Sequence, residues 1–79
     1  MKVYGYTKEQ VEVGSETPSD LAEITFVANP DDLRELASAL NNIAQDMENN
    51  PDSFEHEHIN DTNEALSDTS IIVFNDKAL

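Results

Sequence analysis

Apolar and polar positions follow two rhythms along this chain. Between Leu21 and Ala28 they alternate. Ala22, Ile24, Phe26 and Ala28 fall on one face of an extended chain, and Leu21, Glu23, Thr25 and Val27 on the other. That pattern predicts a strand. From Leu33 onward the spacing changes to threes and fours, through Leu36, Ala37, Leu40, Ile43, Ala44 and Met47. This is the signature of one amphipathic helix, placed over residues 30–49. Asn29 suits its N-cap, Pro30 its first position, and Asp31 and Asp32 its positive end. Asn49-Asn50-Pro51 stops it. Alternation returns at Phe54-Glu55-His56-Glu57-His58-Ile59, a second predicted strand, and residues 70–75 form a third around Ile71-Ile72-Val73-Phe74. The polar stretch 60–68 between them reads as a loop. Residues 1–13 read as extended, on the strength of Val3, Tyr4 and Tyr6 and the alternation of Val11 and Val13 with Gln10 and Glu12; Gly14 to Ser19 is a turn cluster.

These elements give an α+β fold in ββαββ order: an antiparallel sheet of about four strands with one amphipathic helix on one face, forming a single small domain over residues 1–79. Leu40 is expected in the core, where Leu40→Ala would cost about 2–5 kcal/mol. The unbroken apolar run Ile71 to Phe74 suggests a central strand buried on both faces. Since one helix covers one sheet face, the other is left to a dimer or complex partner, or to long side chains such as Tyr4 and Tyr6.

Composition narrows the function. Leu, Ile, Val and Phe supply 19 of 79 residues, so the core is thin. Four Lys and Arg against 17 Asp and Glu give a net charge of −13. The cations Lys2, Lys8, Arg34 and Lys77 are too few to grip a phosphate backbone, so direct nucleic-acid binding is not expected. The same balance argues against an anionic membrane surface. It favours a cationic partner. Asp46 and Glu48 sit at the negative end of the helix with Asp52 just beyond, an arrangement that folding alone disfavours. The chain lacks cysteine, which removes disulfides and thiolate chemistry. The opening residues lack the apolar stretch of a secretory signal, so a cytoplasmic location is expected.

Candidate chemistry centres on His56-Glu57-His58. On a strand the two imidazoles share a face about 6.5–7 Å apart. Zinc would need a further ligand, for which Asp61, Glu64 and Asp68 are the nearest candidates, and none has diagnostic spacing. The simpler expectation is that Phe54, His56 and His58 form a semi-polar face, with neither metal nor other cofactor. No pair among the seventeen carboxylates is set apart for acid–base catalysis, and with Gly5 and Gly14 as the only glycines there is no phosphate-cradling loop. No catalytic residue is assigned, and the chain is not expected to be an enzyme.

Residues 21–28, the helix opening Asn29 to Leu36, the run from Phe54 to Ile59 with Asp61, and Ile71 to Phe74 together resemble the immunity protein 32 family of bacterial polymorphic-toxin systems. The likeness spans roughly residues 20–76. It implies a small cytoplasmic antidote that binds and neutralises a cognate toxin, with Glu55, His56, Glu57, His58 and Asp61 as a candidate contact strip. An acidic inhibitor associates quickly with a cationic cleft. The same charge also fits two other readings: an acidic nucleic-acid mimic that inhibits a DNA- or RNA-binding enzyme, and a small homodimeric structural or regulatory protein.

Overall fold

The computed structural model describes residues 1–61 and 68–78; of Asp61 only the main chain is described. The elements in chain order are β1 (Tyr4–Gly5), α1 (Lys8–Glu12), β2 (Ser19–Asp20), α2 (Pro30–Asn49), β3 (His56–His58), a 3₁₀ turn at Ile59–Asp61, β4 (Ile72–Phe74) and a second 3₁₀ turn at Asp76–Ala78. Among the described residues no helix is long and apolar enough to cross a membrane.

The architecture is α+β with one main helix. Among the described residues its strands form two separate antiparallel pairs, β1–β2 and β3–β4, rather than the expected four-stranded sheet in ββαββ order. The N-terminal pair is only two residues long on each side. It therefore offers too little edge to join the other pair into a continuous sheet.

Helix α2 matches its sequence signals end to end. Asn29 Oδ1 accepts the Asp32 N–H at 2.8 Å, and Pro30 occupies the first turn. At the far end the Asn50 N–H and side-chain amide both donate to the Asp46 carbonyl, at 2.9 and 3.2 Å. Leu36, Ile43 and Ile59 form the buried core, with Ala39, Met47, Phe54, Ile71 and Val73 packed around it.

Four expectations are corrected. Leu40 is not in the core: it is 43% exposed, because the β3–β4 hairpin covers only the Leu36–Ile43 side of the helix. Residues 8–12 are helical rather than extended. Thr7 and Gln10 form a reciprocal capping box, and the turn closes with Gly14 at φ 71° and the Ser15 N–H donating to the Gln10 carbonyl at 2.9 Å. Residues 21–28 do not form a strand; all eight are exposed. Finally, β4 is covered on one face only, with Ile72 and Phe74 at 46% and 44% exposure. Most of the loop expected over 60–68, including Glu64, lies outside the described residues.

Candidate functional site

The β3–β4 hairpin is set by alternation in both strands. His56 lies opposite Phe74, Glu57 opposite Val73, and His58 opposite Ile72. Main-chain bonds extend the ladder at each end: Ile59 N–H donates to Ile71 at 2.8 Å, and Asn75 N–H to Glu55 at 2.8 Å. Directly opposed residues in an antiparallel pair share a face. Val73 and Ile71 pack on the core, so Glu57 belongs to the helix-facing side, where it is half-buried. His56, His58, Ile72 and Phe74 therefore make up the outer face.

Three of those side chains touch, with His56 at the centre. The His56 and Phe74 rings stack with centroids 4.7 Å apart and an interplanar angle of 19°. His58 meets His56 edge-on at 5.3 Å and 66°. His56 Nδ1 stands 3.2 Å from Glu55 Oε1, a carboxylate that is largely in solvent. The result is a small apolar and aromatic surface with imidazole nitrogens and an anionic rim. Such a surface can supply aromatic contact area, both hydrogen-bond donors and acceptors, and attraction for cations.

The contact strip read from the sequence is thus divided by the pleat. His56 and His58 share the outer face, Glu57 turns toward the helix side, Glu55 precedes the strand and reaches the outer face only through its carboxylate at His56 Nδ1, and Asp61 closes the 3₁₀ turn beyond the strand. Phe54 leaves the histidine face as well: it precedes the strand, its N–H donates to the Asn50 carbonyl at 2.9 Å, and its ring packs on the core. Among the described residues no three His, Cys, Asp or Glu side chains converge as a metal site would require.

Three residues that matter here escaped sequence reasoning. The sequence alone places Ile72 and Phe74 in a buried strand, because the cross-strand register that pairs them with the histidines is not written in either strand alone. The third is Asn75, a polar residue only 4% exposed. Its side-chain amide donates to the Pro51 and Phe54 carbonyls at 3.2 and 2.9 Å, and its Oδ1 accepts the Lys77 N–H at 3.2 Å. One residue thereby ties the end of β4 to the turn that follows α2, and fixes where Glu55 and His56 enter the sheet. An asparagine directly after an apolar strand was the available signal.

No curated protein and no solved structure matches the chain. Residues 23–76, which begin before α2 and run through β4 to Asp76, match the family model described as Immunity protein 32. That span is more than half of the 79 residues and includes the whole core and the outer face of the hairpin, so the chain belongs to the immunity protein 32 family.

Proposed function

We propose that this protein is a non-enzymatic antidote that binds a cognate toxin through the outer face of the β3–β4 hairpin and blocks it. The family suggests a toxin partner in general. The single observation that carries the choice of surface is the cluster of exposed His56, Ile72 and Phe74 with half-buried His58, beside Glu55. Rings held in contact, with an exposed aliphatic side chain on the same face and charge at the rim, have the make-up of an interface centre.

Charge assigns the partner's character. At −13 the protein attracts a cationic surface over several ångströms and repels a second copy of itself. A toxin with a basic cleft is the complement. Glu55 at the rim then speeds encounter, and the Phe74–His56 stack governs how long the complex lasts.

The test is a capture experiment followed by a survival assay. Tagged protein retains its partner from its own cells at moderate salt, and the captured toxin is then expressed alone, with the wild-type protein, and with Phe74→Asp. Rescue by wild type and loss of rescue by a folded Phe74→Asp variant is the expected result. A mixed set of nucleic-acid-binding proteins released by salt would instead favour an acidic nucleic-acid mimic. A protein that captures nothing and sediments as a dimer would point to the homodimeric structural reading.

A further inference from the structure

Two unsatisfied features of this chain lie on either side of one hinge. The first is the segment 21–28. It alternates like a strand, yet every residue is exposed, including Ile24 at 47%, Phe26 at 55% and Val27 at 97%. Among the described residues, no main-chain hydrogen bond involves residues 22–28. The second is a ridge on α2. At 100° per residue, Leu33, Ala37, Leu40 and Ala44 line up roughly 80–90° around the helix from the covered positions Leu36, Ala39, Ile43 and Met47. Leu33 and Leu40 are 47% and 43% exposed, and both alanines are exposed too.

The chain as a whole, residues 1–20 included, is more open than a compact domain of its size. Its accessible surface is 6607 Å², whereas a compact folded chain of 8.8 kDa exposes about 4,800 Å². Its radius of gyration is 13.5 Å, against about 11.6 Å for a compact domain of this length.

We infer that residues 22–28 are a strap, anchored at Leu21 by its N–H bond to the Val3 carbonyl, that folds back along α2 and closes over the Leu33–Leu40 ridge of their own chain. The hinge is Asn29-Pro30, and the spacing on its two sides matches. Counting from Asn29, Ile24 lies about 16.5 Å back along an extended chain and Leu40 about 16.5 Å forward along the helix. Phe26, at about 10 Å, falls between Leu33 at about 6 Å and Leu40, over the small Ala37 at about 12 Å. Large side chains on the strap thus meet either a leucine or the gap an alanine leaves. The outward face then carries Glu23 and Thr25, the polar members of the alternation. Layered beside the β3–β4 hairpin, the strap also brings its bare main chain to a sheet edge, where its N–H and C=O groups find partners. Its own helix is the occupant rather than a neighbour's: a two-residue tether gives a high effective concentration, and copies at −13 repel one another.

The chain has no native cysteine, so two engineered ones report the closure cleanly. The full chain with Ile24→Cys and Leu40→Cys is oxidised mildly, and its rate of intramolecular disulfide formation is compared with that of Ile24→Cys and Asn42→Cys, whose helix position points the opposite way. All three sites are exposed, so the substitutions leave the core intact. Closure predicts that the 24–40 pair links at least about tenfold faster than the 24–42 pair. Equal rates for the two pairs would overturn the strap. Disulfides formed between chains would also overturn it, in favour of exchange between two copies.

Discussion

Residues 1–20 build two strands and a helix without burying a single side chain, whereas α2, β3 and β4 bury Leu36, Ile43 and Ile59 to 8%, 2% and 1% exposure. The first region is shaped by local polar bonds. Thr7 and Gln10 cap each other, the Gln10 amide donates to Ser19 Oγ at 3.2 Å, and the Tyr6 hydroxyl donates to the Glu16 carbonyl at 3.2 Å. Each of those bonds replaces one with water and contributes only about 0.5–1.5 kcal/mol net. The second region removes apolar side chains from water, at about 1.5–3 kcal/mol for each large one. Local signals give the first region its shape, but only the second has the means to hold one. The second is also the region the family match covers, and the one that presents the aromatic surface.

The largest test of this contrast is in the core. Ile43→Ala and Ile59→Ala should each cost about 2–5 kcal/mol in urea unfolding, while Val11→Ala, at a site 67% exposed, should change stability by less than about 0.5 kcal/mol. Comparable losses at Val11 and Ile43 would mean that residues 1–20 contribute to the same core. Next is the polar clamp. Asn75→Ala removes both bonds to the Pro51 and Phe54 carbonyls and should cost about 1–3 kcal/mol. Chemical shifts of Glu55 and His56 should move along with the loss in stability. If they stay put while stability drops, Asn75 holds the turn but does not set the strand.

How much of this was visible in the residues depends on how local each cause is. Helix α2 was legible because several signals agree within it: Asn29 and Pro30 at the start, threes and fours through the middle, and Asn50-Pro51 at the end. The short helix α1 was hidden by Val11 and Val13, whose alternation is the same whether the chain is extended or wound for one turn. Thr7, Gln10 and Gly14 held the better information. The proposed contact surface was half legible. The alternation of His56 and His58 is written in β3, but Ile72 and Phe74 join them through a register that only the folded hairpin defines. Segment 21–28 shows the limit most clearly. Strand propensity is a fit to a neighbouring strand rather than a property of the backbone alone, and here the pattern exists without a paired neighbour.

A smaller effect separates the two helix caps. Asn29→Ala removes the acceptor for the Asp32 N–H at the start of the helix that carries the core, and should cost about 1 kcal/mol in global unfolding. Thr7→Ala deletes a chemically similar cap, the acceptor for the Gln10 N–H at 3.1 Å. The Gln10 side chain still accepts the residue 7 N–H on the other side of the box, at 2.8 Å, so half the motif survives. Fraying of α1 exposes no buried side chain, so its opening need not involve the core at all. The expected result is an unchanged unfolding midpoint, with amide exchange at Gln10 and Val11 faster by roughly fivefold, equivalent to about 1 kcal/mol of local opening. If Thr7→Ala instead lowers the global midpoint as much as Asn29→Ala does, the N-terminal region unfolds together with the core. The two regions would then be one cooperative unit, and the polar bonds of residues 1–20 would be coupled to Ile43 and Ile59 through contacts weaker than burial.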